Sequence, residues 1–74
     1  MSKTKDILSS LTGTVWKLDV AVGTKVAEDD PVITLESMKM EIPISAPSDG
    51  VITEILVAEN DLVEEGQVIA RMDV

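Results

Sequence analysis

Lys39 is the residue of this chain whose type and setting are most open to covalent chemistry, because it stands between Met38 and Met40. A lysine amine acts as a catalytic nucleophile or base only when burial or a neighbouring cation makes it neutral. Its near neighbours Glu36 and Glu41 are carboxylates, which favour the ammonium form. We therefore predict that Lys39 is the substrate of another enzyme, which supplies both the base and an activated acyl group.

The two methionines indicate a surface that a partner contacts. Met38 and Met40 share one face of a regular strand, and Lys39 points to the other face. Methionine usually fills gaps in a core, but flexible methionines beside an exposed charge are typical of adaptable partner surfaces. A two-residue hairpin turn here needs positive φ angles, which neither Met nor Lys favours. A local rule broken at an exposed tip indicates function.

The composition excludes several classes of function. The 74 residues contain 6 Lys/Arg and 14 Asp/Glu, a net charge of −8, with no Cys and no His. Nucleophiles that depend on Cys or His, disulfides and most zinc sites are therefore excluded, and we predict no catalytic residue and no metal. The acidity argues against nucleic acid and anionic membranes as partners.

The sequence carries no sign of a membrane span or an export signal. No apolar run approaches the roughly 20 residues that span a bilayer. The stretch from Met1 to Asp6 lacks the apolar segment of a secretory signal. We expect a cytoplasmic protein that is a monomer in isolation.

An internal repeat with an offset of 37 residues organises the chain. The stretch from Ile7 to Ala21 aligns with the stretch from Ile44 to Ala58, with apolar and turn positions in agreement. Gly23 falls on Asn60, and these two residue types best tolerate a left-handed backbone. After Asp30 we predict that the second copy loses one residue, so that the offset falls to 36.

Each copy of the repeat has the pattern of short strands. Alternation with Lys17 and Asp19 predicts a half-buried strand whose inner face carries Trp16, Leu18 and Val20, matched in the second copy by Thr53, Ile55 and Val57. Frequent turn residues leave little room for helices, and we assign structural turns to Gly13, Gly23, Gly50, Asn60 and Gly66. Two such meanders, related by a rough two-fold axis, close into an all-β flattened barrel or sandwich.

The repeat also places Lys39 within a single domain spanning residues 1–74. The first half covers about 7–38, a hairpin covers 37–43, and the second half covers about 44–74. By the symmetry this hairpin is the counterpart of the two chain ends. We therefore expect it at the opposite pole, with Lys39 at or near its tip.

Glu36-Ser37-Met38-Lys39-Met40 resembles the Glu-Ala-Met-Lys-Met biotin attachment motif of the biotinyl/lipoyl carrier domain family, with Ser37 in place of the usual Ala. The resemblance extends over residues 7–73. It implies two four-stranded antiparallel sheets, and biotin joined through an amide to Lys39 by a biotin–protein ligase. Glu36, Met38 and Met40 would be the residues that the ligase recognises.

The resemblance implies a carrier with no chemistry of its own. Biotin on Lys39 would accept a carboxyl group from a biotin carboxylase and deliver it at the carboxyltransferase of a biotin-dependent carboxylase, such as an acyl-CoA carboxylase. Gly13 precedes Lys39 by 26 residues and Gly50 precedes Val74 by 24, which leaves no room for the thumb insertion of some carriers. The chain resembles free-standing biotin/lipoyl attachment proteins and minimal carboxyl carrier subunits.

Two alternatives remain open. A lipoyl carrier would bear lipoate on Lys39 and serve 2-oxoacid dehydrogenase or glycine-cleavage chemistry, although the lipoyl branch typically carries Asp-Lys-Ala at this turn. An unmodified structural or interaction module would leave Lys39 as an ordinary surface residue.

Overall fold

A computed structural model describes residues 3–74, which form eight strands and no helix. Within this range, no segment is a helix that could cross a membrane. The strands are β1 (Thr4–Leu8), β2 (Gly13–Leu18), β3 (Lys25–Val26), β4 (Pro31–Ser37), β5 (Met40–Ser45), β6 (Gly50–Ile55), β7 (Leu62–Val63) and β8 (Val68–Asp73).

The strands form two four-stranded antiparallel sheets, with the orders β1-β8-β6-β3 and β5-β4-β2-β7. The predicted all-β architecture of two such sheets is confirmed. The core between them consists of β-branched residues, Leu, Ala and one Met, as expected for a chain with a single aromatic residue. Its largest fully buried side chains are Val15, Val32, Ile33, Leu35, Ile52, Val63, Ile69 and Met72.

The two halves of the repeat are interlocked through their turns. Val15 in the first half exchanges backbone hydrogen bonds with the Asn60-Asp61 turn, both at 2.8 Å. Ile52, its counterpart 37 residues later, does the same with the Gly23-Thr24 turn at 2.7 and 2.9 Å. Each half therefore completes the hydrogen bonding of the other.

The offset of 37 residues continues to the end of the chain, so the predicted loss of a residue after Asp30 is wrong. The Asp19 amide donates to the Val32 carbonyl and the Leu56 amide to the Ile69 carbonyl, both at 2.9 Å. Both donors and both acceptors are 37 residues apart. The gap arose from matching Val32-Ile33 with Val68-Ile69 by residue type, whereas Val68 is only half-buried and Val32 is fully buried.

The predicted inner face of β2 is wrong at Trp16, which is 46% exposed, while Val15 is fully buried. The pairing with β4 steps from Val15 opposite Leu35 to Lys17 opposite Thr34, so Trp16 is the extra residue of a bulge. That extra residue ends the simple alternation. Leu18 and Val20, also predicted to face inward, are partly buried and pack against the edge of the core.

The second half contains the same bulge at the equivalent position. Ile52 is fully buried, and the pairing with β8 shifts between Ile52 and Glu54, which leaves Thr53 as the extra residue. Thr53 and Ile55 are half-buried, and Val57 is buried. Val57 therefore faces inward as predicted, whereas Thr53 and Ile55 do so only in part. The reason is that Thr53, as the additional residue of the bulge, interrupts the alternation of inward and outward side chains.

Three of the five predicted structural turns have the expected backbone. Gly23, Asn60 and Gly66 have φ angles of 94°, 74° and 86°. Gly13 and Gly50 differ from the prediction because each begins a strand, β2 and β6 respectively. Glycine is needed at these two positions for space, since a Cβ atom on either would collide with a backbone carbonyl oxygen of the neighbouring strand.

Candidate functional site

Lys39 occupies the second position of a two-residue turn that joins β4 to β5. Met38 and Lys39 have φ angles of 51° and 65°, so both lie in the left-handed region. Two consecutive positive φ angles are the geometry of a type I′ hairpin turn, whose twist matches that of the flanking strands. The predicted position of Lys39 at the tip is confirmed, and within the predicted hairpin of 37–43 the turn itself is only Met38-Lys39.

The strands below the turn hold this unfavourable backbone in place. Four consecutive residues of β4, Val32 to Leu35, are buried, and β5 pairs with β4 up to Ser37 opposite Met40. A non-glycine residue in the left-handed region costs roughly 1–2 kcal/mol. The sheet offsets that cost, and as a result the tip is presented in a defined conformation.

The side chains of the turn are open to solvent. Lys39 is exposed, and Met38 and Met40 are 91% and 62% exposed. Among the ion pairs of residues 3–74, none involves the Lys39 amine. The amine is therefore accessible to a partner enzyme.

Glu36 and Glu41 face each other across the base of the hairpin. They are directly opposed in the β4–β5 pairing, and both are exposed. Like charges directly opposite in a sheet are unfavourable. Their position makes the base of the turn acidic, so a surface that binds the hairpin from outside is favoured if it is basic.

The three residues assigned to ligase recognition are thus brought together on one hairpin. Met38 and Met40 flank the lysine at the tip, and Glu36 lies two residues before the turn. The structure shows their proximity and their exposure. Their role toward a ligase remains a prediction.

The turn lies at the pole opposite the chain ends. Near the chain ends, Lys3 and Val74 exchange backbone hydrogen bonds at 2.8 and 3.4 Å. Their counterparts in the repeat, at an offset of 37 residues, are Met40 and Ser37, which pair beside the turn. From the turn, the chain runs the length of β5 and then reaches Gly50 at the start of β6. The backbone of Gly50 packs against Asp73, next to Val74. The molecule is 40 Å long and 17 Å wide in both other directions, so the lysine stands at one end of an elongated barrel.

An open depression on the side of the barrel does not adjoin the lysine. Its lining includes two pairs of residues related by the repeat, Leu18 with Ile55 and Val20 with Val57. No residue of the Met38-Lys39 turn contributes to it. The depression is therefore separate from the candidate site.

Leu62 is an exposed residue near the hairpin that the sequence patterns did not single out. It is 81% exposed at the start of β7, although the next residue, Val63, is buried. The available signal was the repeat, because Leu62 aligns with Lys25 at an offset of 37. A hydrophobic residue aligned with a charged one indicates a solvent-facing position.

The fold and the exposed hairpin lysine together define a small β-barrel domain that presents a lysine side chain at the tip of a hairpin. The family described as "Biotin-requiring enzyme", the biotin/lipoyl domain, matches residues 5–72, and the chain belongs to this family. Its carrier and attachment members are non-catalytic, and this chain is likewise a carrier domain rather than an enzyme.

Relatives of two kinds align over most of the chain. The biotin/lipoyl attachment protein of Bacillus subtilis is 40% identical over 62 residues, which are 84% of this chain and 85% of that protein. The biotin carboxyl carrier protein of acetyl-CoA carboxylase from Streptococcus pyogenes is 45% identical over 53 residues, 72% of this chain and 32% of that protein. The chain is thus homologous to biotin carboxyl carrier domains, while it spans only a third or less of the carboxylase proteins.

A solved structure and a lipoyl protein extend the comparison. The urea carboxylase of Kluyveromyces lactis superimposes with a TM-score of 0.90 at 36% identity, covering 95% of this chain and 6% of that one. The dihydrolipoyllysine-residue acetyltransferase component of the Haemophilus influenzae pyruvate dehydrogenase complex is 40% identical over 60 residues, 81% of this chain and 11% of that protein. The chain is therefore similar in sequence to proteins named for biotin and to one named for lipoyllysine.

Proposed function

We propose that Lys39 is the covalent attachment point of biotin, and that the domain carries a carboxyl group between the biotin carboxylase and carboxyltransferase sites of a biotin-dependent carboxylase. The observation that carries this proposal is the exposed Lys39 at a turn with φ of 65°, between Met38 and Met40. An unfavourable backbone at an exposed residue indicates a functional role for that residue.

The residues around Lys39 fit a group attached by another enzyme. Attachment forms an amide bond between the Lys39 Nζ atom and the carboxyl carbon of an activated biotin, whose leaving group departs while the ligase accepts the ammonium protons. The exposed position of Lys39 leaves room for that enzyme. The acidic pair Glu36 and Glu41 favours a ligase surface with basic groups.

The barrel contributes position rather than reactivity. When attached, biotin supplies the atom that bears the carboxyl group. The chain holds its attachment point at the end of a 40 Å barrel, away from Lys3 and Val74 at the other end. A carrier tethered through its far end would visit two active sites at a high effective concentration, without free diffusion of the carried group.

A lipoyl carrier is the second candidate, because a lipoyl-bearing acetyltransferase shares 40% identity with 60 residues of the chain. The same exposed lysine would then bear lipoate. The methionines on both sides of Lys39 favour biotin over lipoate as the attached group.

The two candidates are distinguished by offering the purified chain to each modifying enzyme. The chain is incubated with a biotin–protein ligase, biotin and ATP, or with a lipoate–protein ligase, lipoate and ATP, and its intact mass is measured. We expect one biotinyl group on the wild type and none on Lys39→Arg. The matched control Lys25→Arg, at another exposed lysine, keeps the group. Lipoate in place of biotin, or an unmodified wild type, contradicts the proposal.

A further inference from the structure

Leu62 is exposed although the fold does not require a hydrophobic residue at that position. In β7 the inward-facing Val63 is 1% exposed, and in the equivalent strand β3 the inward-facing Val26 is 4% exposed. The outer position holds Leu62 near the lysine pole and Lys25 near the chain ends. Since the two halves share one backbone arrangement, Lys25 shows that the fold accommodates a charged residue at this outer position and does not require the apolar side chain of Leu62.

Leu62 lies in the same transverse row of the sheet as the acidic base of the hairpin. It is opposite Thr14, which is opposite Glu36, which is opposite Glu41. Opposed residues of neighbouring strands point to one face of a sheet, and adjacent strands lie about 4.8 Å apart, so Leu62 is about 10 Å from Glu36. The outer face below Lys39 thus carries an exposed leucine at one side and two carboxylates at the other.

We propose that the docking surface for the biotin–protein ligase that modifies Lys39 extends from the hairpin and its Glu36–Glu41 pair to Leu62 on the edge strand β7. This inference rests on the proposed function. Specific protein interfaces bury about 800 Å² on each partner, a patch about 30 Å across. A patch of that size centred on the Lys39 turn includes Leu62.

The ligase is the partner that this surface fits, because it must act on the bare amine. A bare lysine side chain is shorter than one that bears biotin, so the active site that acylates it approaches the hairpin and the outer face beneath it. An enzyme that acts on the attached group meets the end of a longer arm and has less need to contact the barrel. The ligase surface would offer an apolar recess for Leu62 and basic groups for Glu36 and Glu41.

The test is the kinetics of biotinylation with the chain as the varied substrate. Leu62→Lys places at β7 the residue type that β3 already has, and Lys25→Leu is the matched control at the other pole. Both sites are exposed, and circular dichroism and thermal melting verify that each variant folds. For Leu62→Lys we expect the KM for the chain to rise about tenfold with kcat unchanged, because a charged side chain does not fill the apolar recess that receives the leucine. For Lys25→Leu we expect values within twofold of the wild type.

The outcomes separate this surface from the proposed function. A wild type that becomes biotinylated while Leu62→Lys keeps its wild-type KM contradicts the docking surface alone. The surface is also contradicted if Lys25→Leu alters KM as much as Leu62→Lys does. A wild type that accepts no biotin from the ligase contradicts the proposed function and the docking surface together.

Discussion

The backbone carbonyl oxygen of Glu36 lies 2.7 Å from the position that a Cβ atom on Gly13 would occupy. At this point β2 packs closely against the end of β4 that leads into the turn. At the other pole, Gly50 stands in the same relation to Asp73, 37 residues later in both strands. The base of the lysine hairpin therefore depends on a residue without a side chain in the neighbouring strand.

Gly13→Ala is expected to destabilise the domain. The added methyl group meets backbone rather than a movable side chain, so the two strands must separate, at a cost of about 1–3 kcal/mol. In a domain of this size each 1 kcal/mol lowers the melting temperature by roughly 4–8 °C. Thermal unfolding followed by circular dichroism measures the change, with the exposed Glu59→Ala as a control. A Gly13→Ala variant that melts with the control contradicts the packing described for this hairpin.

Lys39→Gly is expected to stabilise the fold while it removes the proposed attachment point. Glycine adopts φ of 65° without the left-handed penalty, so we expect a gain of about 0.5–1 kcal/mol over Lys39→Ala, which keeps that penalty. Lys39→Ala itself should lie within about 0.5 kcal/mol of the wild type, because the side chain is exposed.

Chemical denaturation of the wild type and the two Lys39 variants measures these differences. Glu41→Gly serves as the control, since its position in β5 lacks a positive φ and glycine should weaken the strand there. If Lys39→Gly is as destabilising as Glu41→Gly, the turn does not carry the strain assigned to it.

Two alanine substitutions in β2 test whether the bulge is present. Val15→Ala removes part of a fully buried side chain and should cost about 2–3 kcal/mol, whereas Trp16→Ala removes a half-exposed ring and should cost less, despite its larger size. The ring contacts Lys17, whose ammonium lies 5.8 Å from the ring centre, an exposed interaction worth roughly 0.5–1 kcal/mol. Equilibrium unfolding in urea compares the two variants. A larger loss of unfolding free energy for Trp16→Ala than for Val15→Ala would indicate that Trp16 faces inward, and would contradict the bulge.

The sequence predicted the features that depend on local chemistry and on the repeat. Gly23 and Asn60 have the left-handed backbone that their residue types favour, and Lys39 lies at the tip that the symmetry required. The bulges at Trp16 and Thr53 were missed because strict alternation assumes one residue opposite each partner. Leu62 was missed because the repeat was not extended to this position, where alignment with the charged Lys25 indicates a solvent-facing residue.

The most direct test of the central claim is peptide mass spectrometry of the chain isolated from the cells that produce it. We predict one biotinyl group per chain, on the peptide that contains Lys39, and none anywhere in the Lys39→Arg variant expressed in the same cells. An unmodified Lys39, a lipoyl group on it, or biotin on another lysine of the wild type would contradict the account.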